Sequence, residues 1–539
     1  MGKSLYTSGP ATFLTSLFLI ALGAFSVFFG LPNPIQHVPY LVLLYPLSLF
    51  ILAVKARGAK RAFMRGWLLG LCANGAGLYW MVFPMHDVAG IPFALAIPGV
   101  LLLYAYLALF PALAAFGLWS LFSIFARGQG SFRYLLPPFL GGLAFGGFEV
   151  LCAKLLTGFP WLSIGTAFAF VPEWTQAASL VGGFGLSALY ASAAFFAATV
   201  LLVPGRPRRL ALVCSLAILM AIPSYGMFRL ALPVTHKGEP LSLVMVQGNI
   251  DQSIKWEPAF QKATLTLYLE LSKKALAAGR ASPQNAAPEL VLWPETAMPF
   301  YFQLHQEYAA ELRRFAQDNG IYLAFGAPGV LQDPRKASLL NRLYLLSPTG
   351  ATAGFYDKEH LVPFGEYMPF AADIPFLTDI LQGMSFVPGA HNEPMKMLRK
   401  NNPPLLLGTL ICYEAIFPSL AQARVAQGAQ LLINISNDGW FRKSSAPLQH
   451  LAHASLRSVE QARAQVRATN TGITAVLDSR GRVVNRLGAT FIRGTLAATA
   501  QPGDEITVYH RLHPLPELLL AVLALISLFS YIFRKKQTG

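Results

Sequence analysis

The chain has 539 residues, 54% of them hydrophobic and only 13% charged, against roughly a quarter charged in an ordinary soluble domain. Its formal net charge is +16, from 42 Lys and Arg against 26 Asp and Glu. This composition excludes a fully soluble enzyme and a disordered chain. The basic residues cluster beside apolar runs, a placement that fits lipid head groups and not nucleic acid.

Crossing a bilayer takes about 20 mostly apolar residues. Such runs fall near 11–30, 38–54, 66–84, 90–124, 134–153, 174–204, 208–228 and 514–533. The first follows Lys3, but it is long for a signal-peptide core and no small-x-small cleavage site follows it, so it reads as an anchor. Lys55, Arg57, Lys60, Arg61 and Arg65 separate runs two and three; Arg127 and Arg133 separate four and five. Arg206, Arg208 and Arg209 separate six and seven, and Arg534, Lys535 and Lys536 follow the eighth. The alternate links, such as 30–36 and 85–90, are nearly free of Lys and Arg. Eight crossings therefore place every basic cluster on one face, with both termini cytoplasmic and the region 229–513 opposite, which is the periplasm in a bacterium. The expected domains are 1–228 with about seven helices, a soluble 229–513, and 514–539 as a last helix and tail. Near the outer end of run five, Glu149 and Lys154 read as a structural or snorkelling pair or, equally, as substrate contacts; Asn74 is a polar interruption of run three, and His37 and His86 read as isolated surface residues.

From Leu241 the texture changes. Short β-rich runs at 241–246, 290–293, 321–325, 342–346, 406–411, 431–435 and 474–477 alternate with amphipathic stretches at 261–278, 304–317 and 419–427. Strands separated by helices predict an α/β domain with helices packed over sheets. Glu295 follows Val291-Leu292-Trp293-Pro294, Lys358 follows Phe355-Tyr356-Asp357, and Cys412 follows the run 406–411. Asn434, Asn437 and Asp438 close the run at 431. Strand ends are where reacting groups gather in α/β folds. Cys72, Cys152 and Cys214 lie in or beside apolar runs, so Cys412 is the sole thiol of the soluble region and has no disulfide partner there.

Taken singly, Glu295 reads more readily as a helix cap, Lys358 as a loop charge and Cys412 as a small buried residue. Together they supply a carboxylate, an amine and a thiol. No metal or nucleotide cofactor is expected: His450 and His453 lack a zinc-ligand spacing, and no Gly-rich phosphate loop occurs. Asn434 and Arg467 read as internal hydrogen-bonding groups. The apolar stretch from Met368 through Phe386 reads as an arm that dips into lipid and covers a cleft, or else as a loop packed against the soluble domain.

Several short motifs carry a resemblance. They are Val246-Gln247-Gly248-Asn249-Ile250 with Lys255-Trp256, Trp293-Pro294-Glu295-Thr296, Tyr356-Asp357-Lys358, and His360 through Tyr367. Ile411-Cys412-Tyr413-Glu414 and Asn437-Asp438-Gly439-Trp440-Phe441 complete them, and Thr157-Gly158-Phe159-Pro160-Trp161 joins them in the membrane part. On these residues the soluble region resembles the nitrilase, or carbon–nitrogen hydrolase, superfamily, and the whole chain resembles the bacterial apolipoprotein N-acyltransferase family.

The resemblance implies a multi-span α-helical membrane domain plus an α/β nitrilase-like αββα sandwich. It implies Glu295 as general base, Lys358 as the cation at the oxyanion and Cys412 as nucleophile. Glu366 and Glu414 would be supporting carboxylates, and Trp256, Tyr413 and Trp440 would line or order the substrate cleft. The implied donor is a phospholipid and the implied acceptor a diacylglyceryl-apolipoprotein, handled by a monomer in the inner membrane with its catalytic domain in the periplasm. A membrane-bound nitrilase-type amidohydrolase, using the same residues against water, is the alternative.

Overall fold

The computed structural model describes residues 12–88, 90–125, 130–251, 255–281, 286–331, 338–367, 386–390, 392–400 and 402–536, and of 88, 281 and 531–536 the backbone alone. The expected lipid-dipping arm falls, from 368 to 385, outside the described residues. The chain divides into two compact units: Met1–Val82 with Phe93–Pro233 and Thr507–Gly539, and Phe83–Pro92 with Val234–Ile506.

The first unit is helical: α1 (Phe13–Gly30), α2 (Leu44–Val54), α3 (Ala59–Gly77), α4 (Phe93–Leu107), α5 (Leu109–Phe125), α6 (Phe132–Lys154), α7 (Ala178–Leu202), α8 (Gly205–Ala231) and a last helix, Leu515–Lys536. Among the described residues, five helical stretches are long and apolar enough to cross a membrane; a pair bent by 66°, Ala59–Gly77 with Tyr79–Asp87, makes a sixth. Two shorter apolar helices, Pro39–Val54 and Leu515–Ser530, correspond to the second and eighth runs. Run four is the stretch Phe93–Phe125, broken into α4 and α5 at Ala108.

Small residues let these helices approach closely, since lipid gives no hydrophobic drive to helix association. A Cβ at Gly142 on α6 would lie 2.5 Å from the Ser192 nitrogen on α7, and one at Gly147 would lie 2.0 Å from the Leu520 carbonyl oxygen. The expected Glu149–Lys154 pair does not form. Glu149 accepts from Ser163 Oγ at 2.7 Å and the Ile164 N–H at 3.0 Å, pinning the turn after α6, while Lys154 Nζ lies 4.0 Å from Glu517. Burial makes the nearby donors better partners for this carboxylate than a half-exposed ammonium. A cavity of ≈ 90 Å³ beside it is lined in part by Tyr45, Asn74, Phe145, Cys152 and Phe159. Nor is either histidine isolated: His37 Nε2 donates to the Gly30 carbonyl at 3.2 Å, and His86 Nδ1 donates to the Ile91 carbonyl at 2.9 Å.

Among the described residues the second unit holds twelve strands: β1 (Leu241–Gln247), β2 (Leu290–Leu292), β3 (Tyr322–Leu331), β4 (Ser338–Leu346), β5 (Thr352–Asp357), β6 (Met395–Arg399), β7 (Asn402–Ile411), β8 (Leu431–Ser436), β9 (Gln465–Thr469), β10 (Ala475–Leu477), β11 (Val483–Arg486) and β12 (Gly494–Ala500). They form two six-stranded sheets, ordered β12-β1-β2-β3-β4-β5 and β11-β10-β9-β8-β7-β6. Each has three parallel strands at its centre (β1, β2, β3 and β7, β8, β9) flanked by antiparallel ones.

The period of two along a strand sorts the layers. Leu241, Leu243 and Met245 of β1 enter the core between the sheets, with Leu407, Ile433 and Val466 of the second sheet. Val244 and Val246 face the other way, onto α9 (Pro258–Ala281) and α10 (Gln306–Asn319), through Leu265, Leu312 and Phe315. Helices α11 (Pro418–Ala426) and α12 (Ala446–Gln461) belong to the second sheet's side; Ala421 and Val425 pack on Leu410 and Leu432. The result is the expected αββα sandwich.

Candidate active site

The carboxyl ends of β2, β5 and β7 carry the three candidate residues. Glu295 stands three residues beyond β2, Lys358 directly after β5 and Cys412 directly after β7. All three are drawn together. Lys358 Nζ lies 2.8 Å from Glu366 Oε1 and 3.5 Å from Glu295 Oε1. Asn341 Nδ2, from β4, donates to the same two oxygens, at 2.7 Å to Glu295 and 2.9 Å to Glu366. These four side chains are buried, with Lys358 1% exposed and Glu295 5%. Glu366 Oε2 also accepts the Val362 N–H at 2.8 Å, which closes the turn that carries it.

The backbone is strained where the reacting groups sit. Cys412 has φ +51°, Thr296 φ +49° and Phe364 φ +61°, in a region that side-chain-bearing residues seldom occupy. The left-handed Cys412 turns the chain sharply out of β7 into a single helical turn, Cys412–Ile416. Gly326 of β3 leaves room for the Glu295 elbow, because a Cβ there would lie 2.5 Å from the Thr296 nitrogen. Such strain is held only where the surroundings over-determine the conformation.

Glu414 does much of that holding. Its Oε1 accepts from Tyr356 Oη at 2.9 Å and from the Glu359 and His360 N–H groups at 2.7 and 3.1 Å; its Oε2 accepts the Ile411 N–H at 2.6 Å. One carboxylate thus ties the segment after Lys358, from the first sheet, to the peptide before Cys412, from the second. Burial pushes its carboxyl up to about 7, against the pull of the Ile411 N–H and the Lys358 charge.

The Cys412 thiol is raised well above its ordinary value by burial and then by the negative charge of Glu295, with Lys358 opposing. It is therefore a thiol at rest that feels the charges of both Glu295 and Lys358. Lys358 is held charged: burial opposes its charge, but Glu366 and Glu295 more than offset that. The set can take a proton from sulfur and place a fixed cation beside an oxygen that becomes negative.

Comparison with known proteins gives this geometry its relatives. A family model described as carbon-nitrogen hydrolase matches residues 245–508, and one described as apolipoprotein N-acyltransferase N-terminal domain matches residues 23–196. An apolipoprotein N-acyltransferase of Geobacter metallireducens is 36% identical over 471 residues, covering 86% of this chain and 85% of that one. Another, of Methylococcus capsulatus, is 33% identical over 487 residues, covering 89% and 90%. This chain belongs to the apolipoprotein N-acyltransferase family. Among solved structures, an amidase from Nesterenkonia sp. is 20% identical, covers 53% of this chain and 97% of its own, and superposes with a TM-score of 0.37.

The other expected site residues of this family member are placed differently from one another. Tyr413 is buried, its ring 5.7 Å from His360 and 5.1 Å from Phe417. Trp440 is half-buried, and its indole would meet a Cβ at Gly365 at 3.3 Å. Trp256 is 38% exposed.

Residue-by-residue reading of the sequence missed a second layer. Asn341 was hidden inside the β4 run; its only mark is that Asn341-Arg342 interrupts an apolar stretch. Arg342 grips Asp357 with Nε at 2.5 Å and Nη2 at 2.8 Å, locking β4 to β5 next to Lys358. Behind Cys412, His450 Nε2 donates to the Cys412 carbonyl at 2.9 Å. Burial and then Arg467 hold this imidazole below its usual range, so it is neutral and its Nδ1 accepts from Arg467 Nη2 at 3.0 Å. Arg467 also pairs with Asp438 at 2.9 Å and bonds Asn434, the internal role read from the sequence. Among the described residues no group of three or more His, Cys, Asp or Glu side chains is arranged to hold a metal.

Lys255 is a second buried lysine, 1% exposed, with Nζ 3.5 Å from the Glu295 carbonyl oxygen. Burial lowers it to about 8, with the Glu295 charge pulling the other way. Its folded value lies below the unfolded one of about 10.4, so between those pH values the folded protein binds fewer protons. The penalty is then complete below about 8 and relieved as pH rises toward 10.4. Wild type should gain on Lys255→Met by roughly 3 kcal/mol between pH 7 and pH 10.4. Unfolding midpoints of the two proteins at those pH values check this; a constant difference would refute it.

Proposed function

We propose that this chain transfers a fatty acyl group from a phospholipid, through a thioester on Cys412, to the amino-terminal amine of a diacylglyceryl-cysteine apolipoprotein. The observation that carries the reading is the buried set Glu295, Lys358 and Cys412, in a chain of this family that also bears helices able to cross a membrane.

Glu295 takes the thiol proton as sulfur attacks the ester carbonyl. Lys358, held in place by Glu366, stabilises the oxyanion. The carbon–oxygen bond then breaks, Glu295 returns the proton to the departing lysophospholipid alcohol, and the acyl group remains on sulfur. In the second half the amine attacks the thioester, the carbon–sulfur bond breaks, and the proton lost by nitrogen passes through Glu295 to the thiolate. An α-amine with a pKa near 7.7–8.0 is neutral in usable fraction at physiological pH. One covalent intermediate and two substrates give ping-pong kinetics.

The distribution of Lys and Arg supports a periplasmic catalytic domain, with 229–513 outside and the flanking segments 1–228 and 514–539 carrying the spans. A membrane location suits two lipid-anchored substrates, because drawing an acyl chain into water costs about 0.8 kcal/mol per CH2.

The test is intact-mass measurement of the purified protein after incubation with phospholipid alone. A fatty-acyl increment that hydroxylamine removes is expected. No increment and no released fatty acid would overturn the reading; fatty acid released steadily without any acceptor would favour the hydrolase alternative.

A further inference from the structure

The segment Phe83–Pro92 belongs by sequence to the helical part of the chain, yet it packs as part of the catalytic unit. It is closed on itself: His86 Nδ1 donates to the Ile91 carbonyl at 2.9 Å, and the Ile91 N–H donates to the Met85 carbonyl at 3.1 Å. Its outer acid is gripped by one side chain. Arg442 donates to Asp87 Oδ2 from Nε at 2.6 Å and to Oδ1 from Nη2 at 2.7 Å, and its guanidinium lies 4.8 Å from the centre of the Phe83 ring. A two-point fork of this kind fixes orientation as well as distance. Arg442 itself has φ +50°, so the chain is bent at the point where the fork holds it.

Two residues before Arg442 is Trp440, in the single helical turn Asp438–Phe441. The Trp440 indole abuts Gly365, whose neighbour Glu366 holds Lys358 at 2.8 Å. Side-chain contacts and two short chain links, 440–442 and 365–366, therefore connect Asp87 through Arg442 and Trp440 to the cation of the site. We propose that Asp87 and Arg442 are positioning residues for acyl transfer: the segment 83–92 acts as a strut that holds the Trp440 turn against the Glu366–Lys358 side of the site.

The inference rests on Cys412 being the acylated nucleophile, and its test separates the two. The measurement is the rate of thioester formation from phospholipid, by intact mass, in full-length protein with the unfolding midpoint recorded alongside. Asp87→Arg and Arg442→Asp are each expected to slow acylation roughly tenfold, as small misplacements of positioning groups do, with KM little changed. The double swap Asp87→Arg with Arg442→Asp should recover most of the loss. If either reversal fails to fold, the milder pair Asp87→Asn and Arg442→Gln replaces it, with a smaller loss in the same direction. Single variants acylated at the wild-type rate would overturn the strut, as would a swap that recovers nothing. Wild type that never forms the thioester would overturn the nucleophile assignment and the strut with it.

Discussion

Cys412→Ala protein is expected to fold normally and to lose acyl transfer by at least about 10⁴-fold, the scale on which removing a covalent nucleophile acts. Nothing else in the soluble region can take the thiol's place, because Cys72, Cys152 and Cys214 all lie in the helical unit. The fold should survive: the change removes one sulfur, and alanine inherits the φ of +51° that cysteine already tolerates. Cys412→Ser tests the chemistry more finely, since it keeps the volume and a hydroxyl but offers Glu295 a far less acidic proton. It should be nearly as inactive as the alanine variant. Glu295→Gln removes the proton acceptor while leaving an oxygen for Asn341, so it should cost less in stability than in rate. The thioester by intact mass and the unfolding midpoint, taken on the same samples, check all three. Full transfer by folded Cys412→Ala would sink the mechanism.

How far the sequence showed this follows from what each element needs. The membrane helices were legible because length and apolarity define them locally, and run four differed only by its break at Ala108. Strands β1, β2, β3, β4, β7, β8 and β10 were legible as apolar runs, and the ends of β2 and β7 pointed to Glu295 and Cys412; β5, which Lys358 follows, was not read as a strand. The helix α12 was not legible: all but Leu448 of the residues from Ala446 to Gln461 are buried, including Gln449, His450, Arg457 and Glu460, so no polar face marks a period. Nor were β11, whose side chains are largely exposed, and β12, whose side chains are mostly half-buried. Asn341 and the Asp438–His450–Arg467 network depend on register between strands and on contacts 12 to 46 residues apart, which no local pattern encodes. The placement of 83–92 with the catalytic unit is tertiary for the same reason, and it is why His86 looked like a bare surface residue.

Glu414→Ala should be the most damaging change that touches no reacting atom. The carboxylate accepts three backbone N–H groups and one phenol from segments of both sheets, and it is fully buried. Truncation strands those donors in the interior, where each unsatisfied group costs about 1–3 kcal/mol, so a loss of roughly 4 kcal/mol or more is expected. The geometric consequence is larger than the energetic one. Glu359 and His360 follow Lys358 directly and Ile411 precedes Cys412, so one deletion frees the cation and the thiol to drift apart. A loss of about an ångström in their alignment is enough for a 10²-fold drop in acylation. Glu414→Gln keeps one acceptor oxygen but turns an amide N–H toward one of the four donors, and should fall between alanine and wild type in both unfolding midpoint and thioester rate. A Glu414→Ala protein that is destabilised yet forms the thioester at the wild-type rate would show that the two sheets hold Lys358 and Cys412 in register without it.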